Sequence, residues 1–560
     1  MDPLRRLLPL VIGALCLCGN AQAQPAGTVD IERQANRDFQ AGRYTAAEAG
    51  FSKAYELWRA AVGEDSPDTL VAANGLAASL RGQRRFAEAE VLDRRISVTS
   101  LRVLGPDHPY TLASAGNLAA DLISLGRPAE AEPLQRRVRE AYRRLRGEDD
   151  RTTLVWSMNL ADTLVSLGRN AEAETLQRGV WETRKRLVGE DARDTLSAAS
   201  ALALSLFRQG RADEAEVLDR HVWTVRLRDL GEEHPDTLTA GNRYAESQGA
   251  AGRVAEAETL NRRIWLLRRR LQGDDHADTL ATAANLAQAL AALGRTAEAE
   301  AINRQTWLAA RRTMGDEHVV TLIYANNLAL NLEAIGRAGE AEALNRQVWA
   351  VYRRVLGEDH PDTLAAANNL ALSLNALGRI EEAATLDRQV WTASQRVLGE
   401  AHPLSLTSGS NLASGLRDLG RFDEAESLHR KLWDIRRRTQ GNDHPMTLIA
   451  AGSLALTLEA AGKLADAETL LEDVAATMAG TARGETPLTL VRAWRGLGSV
   501  RYGLRDYAGS YQAYDMAAAA TRRRYGDRRA SGEQARGELM RARDIFLGQI
   551  RAGWSWASQP

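Results

Sequence analysis

Seven histidines are the residues of this chain whose type and spacing most directly suggest chemistry, because imidazole nitrogens ligate metals and transfer protons. They stand before predicted helices, at multiples of 42 residues: His108, His234, His276, His318, His360, His402 and His444. A metal site needs several ligand nitrogens about 2 Å from one ion. One histidine per repeat, on helices packed about 8–10 Å apart, does not converge on one point. We therefore predict that these histidines cap helices or pack loops, and that no metal is bound.

Catalytic and cofactor motifs are absent from the sequence. It contains no Walker phosphate loop, no His-Glu-x-x-His, no Gly-x-Ser-x-Gly and no cysteine pair beyond residue 23. The carboxylates of each repeat stand at helix starts rather than as an acid–base pair. We predict no catalytic residues, no cofactor and no enzyme. An enzymatic site hidden in the non-repeat ends is a rival hypothesis, for which the 35 residues after Tyr525 leave little room.

Tryptophan occupies the same place in seven successive repeats: Trp181, Trp223, Trp265, Trp307, Trp349, Trp391 and Trp433. Burying one indole removes roughly 200 Å² from water, which is about 5 kcal/mol of gross stabilisation. Seven exposed indoles would instead form a large adhesive patch. We interpret the tryptophans as packing between neighbouring repeats, and an aromatic track for an extended ligand is the alternative.

Asparagine also recurs inside predicted helices: Asn117, Asn159, Asn285, Asn326, Asn327, Asn368, Asn369 and Asn411. Inside a helix, asparagine costs about 0.5–0.7 kcal/mol relative to alanine, so its repetition indicates that each amide has a partner. The partner is either a bound ligand or the neighbouring repeat. In the second case the hydrogen bond would fix the pitch of the stack.

The elements that position these residues follow from a glycine that recurs every 42 residues, without a slip, from Gly63 to Gly441. A fixed period is the mark of a repeat architecture, in which one structural unit is stacked many times. A second glycine recurs with the same period from Gly126 to Gly462. Because this period is never interrupted, we expect no inserted domain between Gly63 and Gly441.

Each 42-residue unit predicts a pair of antiparallel helices. Pro361 suits the first turn of a helix, and Leu364 and Leu370 belong to an apolar stripe at helical spacing. Gly378 can end that helix in a left-handed conformation, and a second helix then runs to Gly399.

Charge gives little reason to expect a polyanionic partner. Lys and Arg total 72, and Asp and Glu total 73. Second helices begin with glutamates and end with arginines, which complements the helix dipole. A basic strip for polyanions is the alternative, but the even balance favours the dipole interpretation and predicts no nucleic-acid binding.

The N-terminus has the pattern of a secretory signal peptide. Arg5 and Arg6 precede an apolar run over residues 7–18, and a small-x-small sequence ends at Ala23. The run is about 12 residues, too short to cross a bilayer, which needs roughly 20. We predict cleavage after Ala23, export to the periplasm or the extracellular space, and no membrane span. Lipoprotein processing is the alternative, but a leucine precedes each of the two cysteines.

The predicted domain organisation has four parts. Residues 1–23 are the signal peptide and 24–28 a linker. Residues 29–525 form about twelve helix pairs, with the first and last divergent as capping repeats are. Residues 526–560 form a capping helix followed by a loose tail, which we place from Gly553.

The repeat resembles the tetratricopeptide repeat in its longer, 42-residue form, found in kinesin light chains and many bacterial proteins. The resemblance rests on residues 340–342, 356–364, 368–371 and 377–379, and it covers roughly residues 29–525. It implies an all-α superhelical solenoid of about twelve helix-turn-helix pairs that binds peptides or proteins in its groove. In peptide-binding members, asparagines of the first helices hold the ligand backbone on the concave face, which implies this role for the asparagine series.

One position departs from the family pattern. Where the family usually places an aromatic residue in the second helix, nine successive repeats have a polar one: Asp93, Gln135, Gln177, Asp219, Asn261, Asn303, Asn345, Asp387 and His429. We therefore do not assume that neighbouring repeats of this chain pack against each other as they do in the family.

Together these observations predict an exported, non-catalytic scaffold that binds a protein or peptide of unspecified identity along its concave face. A regulatory or inhibitory subunit of an envelope enzyme is the alternative. Self-association is left open.

Overall fold

The computed structural model describes residues 25, 27–481, 488–526 and 533–558, and within these residues all regular secondary structure is α-helical. The prediction of an all-α fold is confirmed. The helices are α1 (Thr28–Gln40), α2 (Tyr44–Val62), α3 (Pro67–Gly82), α4 (Phe86–Leu104), α5 (Pro109–Ser124), α6 (Pro128–Arg146), α7 (Arg151–Ser166), α8 (Asn170–Val188), α9 (Arg193–Arg208), α10 (Ala212–Leu230), α11 (Pro235–Ala250), α12 (Val254–Gln272), α13 (Ala277–Ala292), α14 (Thr296–Met314), α15 (Val319–Ala334), α16 (Ala338–Leu356), α17 (Pro361–Ala376), α18 (Ile380–Leu398), α19 (Pro403–Asp418), α20 (Phe422–Gln440), α21 (Pro445–Ala460), α22 (Leu464–Thr481), α23 (Leu488–Gly503), α24 (Tyr507–Gly526) and α25 (Glu533–Ala557).

The chain divides into two compact units, Met1–Gly252 (unit 1) and Arg253–Pro560 (unit 2). Unit 1 contains α1–α11 and unit 2 contains α12–α25. Within each unit, every helix packs against the next helix along the chain. We call the odd-numbered helices first helices and the even-numbered ones second helices. In unit 2, each first helix from α13 onward also touches the first helix of the next pair.

The loop histidines cap the first helices, as predicted. The Nδ1 atom of His360 accepts a hydrogen bond from the backbone N–H of Asp362 at 3.2 Å, which satisfies one of the free N–H groups of the first turn. The other histidines of the series make the same bond at their helices: His108, His234, His276, His318, His402 and His444.

Glycine ends both helices of a pair because the chain must turn through a positive φ there. Gly378, in the turn after α17, has a φ of 75°, and Gly399, after α18, has a φ of 93°. A side chain at either position would strain the backbone. The two periodic glycines therefore set where each helix ends. Because the ends are fixed, the side chains of the following helix keep the same positions in every repeat.

Rings of ion pairs join successive second helices. The turn residue Arg337 binds Glu340 of its own helix (Nε–Oε1, 2.6 Å) and Glu300 of the preceding second helix (Nη1–Oε1, 3.3 Å). Arg304 binds the same two glutamates and closes the ring. The equivalent links to the preceding repeat are Arg85–Glu48, Arg127–Glu90, Arg169–Glu132, Arg211–Glu174, Arg295–Glu258 and Arg379–Glu342. Single exposed pairs contribute little, so any stabilisation here comes from the network.

The structure describes the two ends of the chain to different extents. The predicted signal peptide, residues 1–23, lies outside the described residues. At the other end the prediction of a loose tail from Gly553 is wrong for residues 553–557, because α25 continues to Ala557. Ala552 is fully buried and Gly553 lies against the ring of Tyr511, and this packing keeps the backbone helical. No helix in the described part of the chain is long and apolar enough to cross a membrane.

Candidate functional site

The exposed face of the first helices is the surface that the repeat leaves unoccupied. Within a unit, a first helix that lies between two second helices is buried on two sides, one against its own second helix and one against the preceding one. The remaining stripe in α15 contains Ile323, Asn327 and Leu330, at helical spacings of four and three residues. Leu330 is 53% exposed, and Leu372 takes the same place in α17. Apolar and amide side chains therefore alternate on this face.

In unit 2, this face carries almost no charge on α13, α15, α17 and α21, whereas α19 and α23 contain arginines. The first helices α13, α15, α17 and α21 contain no lysine and no arginine. Asp278 and Asp362 stand in the first turn of their helices. Glu333 and Glu459 are half-buried, and each accepts a hydrogen bond from a serine hydroxyl of the next first helix, Ser373 and Ser499. Burial also raises the pKa of Glu333, which favours its neutral form. The charges of these repeats lie instead on the second helices and loops.

The structure places most of the asparagine series half-buried on this face, in two kinds of surroundings, whereas Asn368 is buried. In one kind, the amide of a first helix donates to the asparagine oxygen of the preceding first helix. Asn411 donates to Asn368 at 3.0 Å, and Asn117 donates to Asn74 at 2.9 Å. These bonds link neighbouring repeats, as the spacer interpretation of the series requires.

The remaining asparagines do not form such links. The side chains of Asn285, Asn327 and Asn369 are half-buried and make no hydrogen bond to another described residue. Asn159 Nδ2 and Asn326 Oδ1 are buried atoms without a hydrogen-bond partner in the described chain. The half-buried amides of Asn285, Asn327 and Asn369 can still bind an incoming backbone.

Two features of the face were missed in the sequence. Asn74 is a partner that the 42-residue period hides, because it lies 43 residues before Asn117. Leu330 and Leu372 fall outside the buried apolar stripe, and their exposure follows only from helical phase. The sequence did contain a signal for the leucines, since a leucine out of phase with the buried stripe must face solvent or a ligand.

A column of buried polar side chains holds the face from beneath. Nine polar residues stand in the second helices where the family usually has an aromatic residue, and all nine are buried. Asn345 reaches the next first helix: its Nδ2 donates to the backbone oxygen of Asn369 (3.4 Å) and to Ser373 Oγ (2.8 Å). Asn303 reaches the backbone oxygen of Asn327 in the same way, at 3.5 Å. These two members of the column therefore help to fix the backbone that carries the amides of Asn327 and Asn369.

Most members of the column have at least one buried polar atom without a hydrogen-bond partner among the described residues, and in Asp387 a whole carboxylate is left unpaired. Both carboxylate oxygens of Asp387 are buried and have no hydrogen-bond partner among the described residues. Gly415, 28 residues further on, takes the place that Ser373 has opposite Asn345, and it offers no side chain. Burial raises the pKa of Asp387 to about 7. At Asp219, burial raises the pKa only to about 6, because Arg243 and Ser247 stabilise the charged form.

The seven tryptophans are half-buried, and each contacts at least one buried hydrophobic cluster. Trp349 packs against two clusters, one within its own pair and one of the next pair. A cation covers the ring of Trp349, because the guanidinium of Arg353 lies 4.9 Å from the ring centroid. The same cover is given by Lys185, Arg269, Arg311, Lys431 and Arg437 to the rings of Trp181, Trp265, Trp307, Trp391 and Trp433. Trp223 is stacked on Tyr244 instead, at 5.3 Å.

No metal centre is formed within the described ranges, where no group of three or more His, Cys, Asp or Glu could hold an ion. The periodic histidines are each engaged at a separate helix start. This geometry agrees with the interpretation of the histidines as caps.

Stacked helix pairs with an uncharged, amide-bearing face define a helical-repeat protein of the kind that offers an extended surface. Sequence comparison gives the family. The tetratricopeptide repeat matches residues 33–97, 110–180, 195–236, 236–306, 320–396 and 404–478, which is more than half of the chain. The chain belongs to the tetratricopeptide repeat family. The comparison with curated proteins found no match.

Solved structures with similar segments include two of kinesin light chain nearly identical TPR-like repeats from Podosopora anserina. They are 29% and 30% identical, with TM-scores of 0.35 and 0.34. Each similarity covers 37% of this chain and 98% or 99% of the other. BtubC (BKLC) from P. vanneervenii is 20% identical over 45% of this chain and 94% of its own, with a TM-score of 0.33.

Proposed function

We propose that this protein is a non-catalytic scaffold that binds an extended peptide segment of a protein partner along the first-helix face of unit 2. The observation that carries the proposal is the composition of that face. Exposed leucines and unengaged amides alternate on α15 and α17, and no lysine or arginine interrupts them. The fold is one that typically serves protein–protein interaction.

The chemistry of the face supports one kind of ligand. An extended backbone has unpaired N–H and C=O groups, and an asparagine amide offers one donor and one acceptor group to them. Asn327 and Asn369 are available for such bonds, while Leu330 and Leu372 offer apolar contact to the alternate side chains. A strongly charged segment would lose water at this face without gaining an ion pair. We therefore expect an uncharged segment with aliphatic side chains.

Site-specific photocrosslinking in the producing cell tests this proposal. A photoreactive residue at Leu372 is expected to capture a discrete partner, whereas one at Val397 is not. The two positions are a matched pair, because they are exposed aliphatic residues (37% and 44%) on the first and second helix of one repeat. Asn369→Ala should weaken capture at Leu372 by about tenfold, the effect of roughly one lost hydrogen bond. Equal capture at both positions, or at neither, would contradict the proposal.

The same experiment addresses the regulatory alternative. A captured enzyme whose rate changes when the purified scaffold is added would favour a regulatory or inhibitory subunit. A captured protein without such a response supports the scaffold.

We also propose that the protein is exported and that residues 1–23 are removed. The charged start, the short apolar run and the small residues before Gln24 support this proposal. The expected result is a mature chain beginning at Gln24 in the envelope or the medium, read by N-terminal sequencing after cell fractionation. A full-length chain in the cytoplasm would refute it.

A further inference from the structure

Unpaired polar groups are concentrated at the junction between α18 and α19. Asp387, Trp391 and Gln395 follow one another at spacings of four residues, so they lie on one side of α18. Both carboxylate oxygens of Asp387, the Nε1 atom of Trp391 and the Nε2 atom of Gln395 are buried and have no hydrogen-bond partner among the described residues. Buried polar atoms without partners cost the closed structure free energy. This junction is therefore held less firmly than one whose polar groups are paired.

Two glycines of α19 face this side of α18. A Cβ atom at Gly409 would lie 2.9 Å from the Nε1 atom of Trp391. A Cβ atom at Gly415 would lie 3.6 Å from the Cβ atom of Ala384, about one turn before Asp387. Neither glycine offers a side chain that could bind the unpaired atoms, and glycine inside a helix also weakens that helix. The polar contacts and the intrinsic stability of α19 are thus reduced at the same place, which is where the stack can bend.

The preceding repeat shows which hydrogen bond Asp387 needs. Asn345, in the equivalent place, donates to the backbone oxygen of Asn369 at 3.4 Å. Asn411 stands as far after Asp387 as Asn369 stands after Asn345. A carboxylate can only accept hydrogen bonds, so an ionised Asp387 would face a carbonyl oxygen with no hydrogen between them. A protonated carboxyl has an O–H group, which can donate to that oxygen.

The other two aspartates of the column are bound by an arginine instead. Arg243 binds Asp219 (Nε–Oδ1, 3.4 Å), and Arg81 binds Asp93. Around Asp387 the places of both arginines are taken by asparagines. The chain therefore offers Asp387 no cation, and a proton is the remaining means of neutralising it. Burial accordingly raises the pKa of Asp387 to about 7.

The charged groups of the surrounding helices are engaged elsewhere. On α17 the one charged residue is Asp362, in the first turn. On α19, Arg417 is paired with Asp418 at 2.8 Å. Burial, and then Arg417, lower the pKa of the next column member, His429 of α20, to about 4. Charges of α16, α18 and α20 are paired in the ionic rings, among them Glu342, Arg346, Arg388 and Glu424. Of these groups, Asp387 alone changes its charge near pH 7.

We propose that the junction between α18 and α19 is a pH-operated hinge within unit 2. The hinge is closed while Asp387 donates, as a neutral acid, to the backbone oxygen of Asn411, and it opens when the carboxyl loses its proton. Opening lets water reach a charge that the closed structure keeps dry. It also breaks the bond from Asn411 to Asn368, which joins α19 to α17. Weaker peptide capture across these two helices above pH 7 would follow, and this consequence alone rests on the proposed function.

Double electron–electron resonance between two nitroxide labels measures the hinge directly. The labels are attached at Leu330→Cys on α15 and Leu456→Cys on α21, which are exposed positions on either side of the junction. Cys16→Ser and Cys18→Ser remove both native cysteines. We expect a narrow distance distribution at pH 5.5 and a broader, shifted one at pH 8.5, with a midpoint near pH 7 and an unchanged helical circular dichroism signal. An unchanged distribution, or a loss of helix at pH 8.5, overturns the proposal.

Matched variants assign the change to Asp387. Asp387→Asn keeps a neutral donor in place, so the labelled variant should show the narrow distribution at both pH values. Gly415→Ser gives the carboxylate a hydroxyl partner and should also keep the hinge closed at pH 8.5. Labels at Leu266→Cys and Leu330→Cys lie on the same side of the junction and should report no change. A shift that persists in Asp387→Asn, or one between positions 266 and 330, overturns the hinge. No ligand is present, so the result is independent of the peptide-binding proposal.

Discussion

Asp387→Asn is expected to stabilise the repeats around α18 and α19 at pH 8, by as much as about 4 kcal/mol, because a tenfold change in the affinity of a carboxylate for its proton corresponds to about 1.4 kcal/mol. Burial raises the pKa of the Asp387 carboxyl from an ordinary 3.8 to about 7. Neither oxygen has a partner that would offset the loss of water around the charge. Removing the charge should therefore relieve the folded state of most of this cost.

The raised pKa of Asp387 determines how the stability gain of Asp387→Asn changes with pH. Between pH 4 and pH 7 the folded state keeps a proton on Asp387 that the unfolded state has lost. Its contribution to stability therefore falls as the pH rises through that window, and the cost is complete above pH 7. Below pH 4 the carboxyl is neutral in both states. The benefit of Asp387→Asn should thus be large at pH 8 and close to zero at pH 4.

Hydrogen exchange of the α18 and α19 amides measures the local free energy of opening, which suits a stack that need not unfold as one unit. Asp434→Asn is the control, because Asp434 is a half-exposed carboxylate on α20. A benefit of Asp387→Asn that does not change with pH would contradict the argument from burial.

Gly415→Ser supplies the missing partner instead of removing the charge. A Cβ atom at Gly415 would meet only Ala384, at an ordinary contact distance of 3.6 Å. By analogy with Ser373 and Asn345, the hydroxyl should reach the Asp387 carboxylate. We expect Gly415→Ser to lower the pKa of Asp387. We also expect Gly415→Ser to stabilise the fold more in a chain that keeps Asp387 than in a chain with Asp387→Asn.

Trp349→Ala is expected to destabilise the middle of unit 2 by about 3 kcal/mol, at the lower end of the range for aromatic-to-alanine changes because the ring is only half-buried. Trp349 packs against two hydrophobic clusters that belong to successive pairs. Its loss should therefore weaken the junction between α16 and α17 as well as its own pair. Hydrogen exchange of both helices is the measurement.

Two further variants separate the contributions to that effect. Arg353→Ala removes only the cation over the ring and should cost about 0.5–1 kcal/mol. Trp554→Ala, which removes a ring that is largely exposed, should change stability little in dilute solution. If Trp349→Ala has no larger effect than Trp554→Ala, the tryptophan series does not serve packing between repeats.

Much of the fold could be predicted from the sequence because its determinants are local and periodic. The glycine period sets the helix ends, and the apolar spacing of residues such as Leu364 and Leu370 sets the buried side. The role of the histidines followed from their place directly before proline or another first helical residue. These features act within a few residues, so one repeat contains all the information.

The buried polar column could be located in the sequence but not interpreted, because its chemistry depends on two residues 28 positions apart. Asn345 Nδ2 donates to the hydroxyl of Ser373, whereas Asp387 has Gly415 at the equivalent position, which has no side chain to donate. The Asn74–Asn117 bond was missed for the same reason, since its partners are separated by 43 residues rather than one period. Contacts between repeats are a property of pairs of repeats, which reading one repeat does not show.

The constant 37-residue separation of the ionic rings has a consequence for how this gene can change length. If recombination removes or duplicates 42 residues in phase, each new neighbour still meets an arginine such as Arg337 and a glutamate such as Glu300 at the same separation. The ring therefore accepts any order of repeats. The polar column does not, because each crossover brings a new pair of buried residues face to face. Selection on the number and order of repeats should therefore act at the buried junctions rather than at the ionic rings.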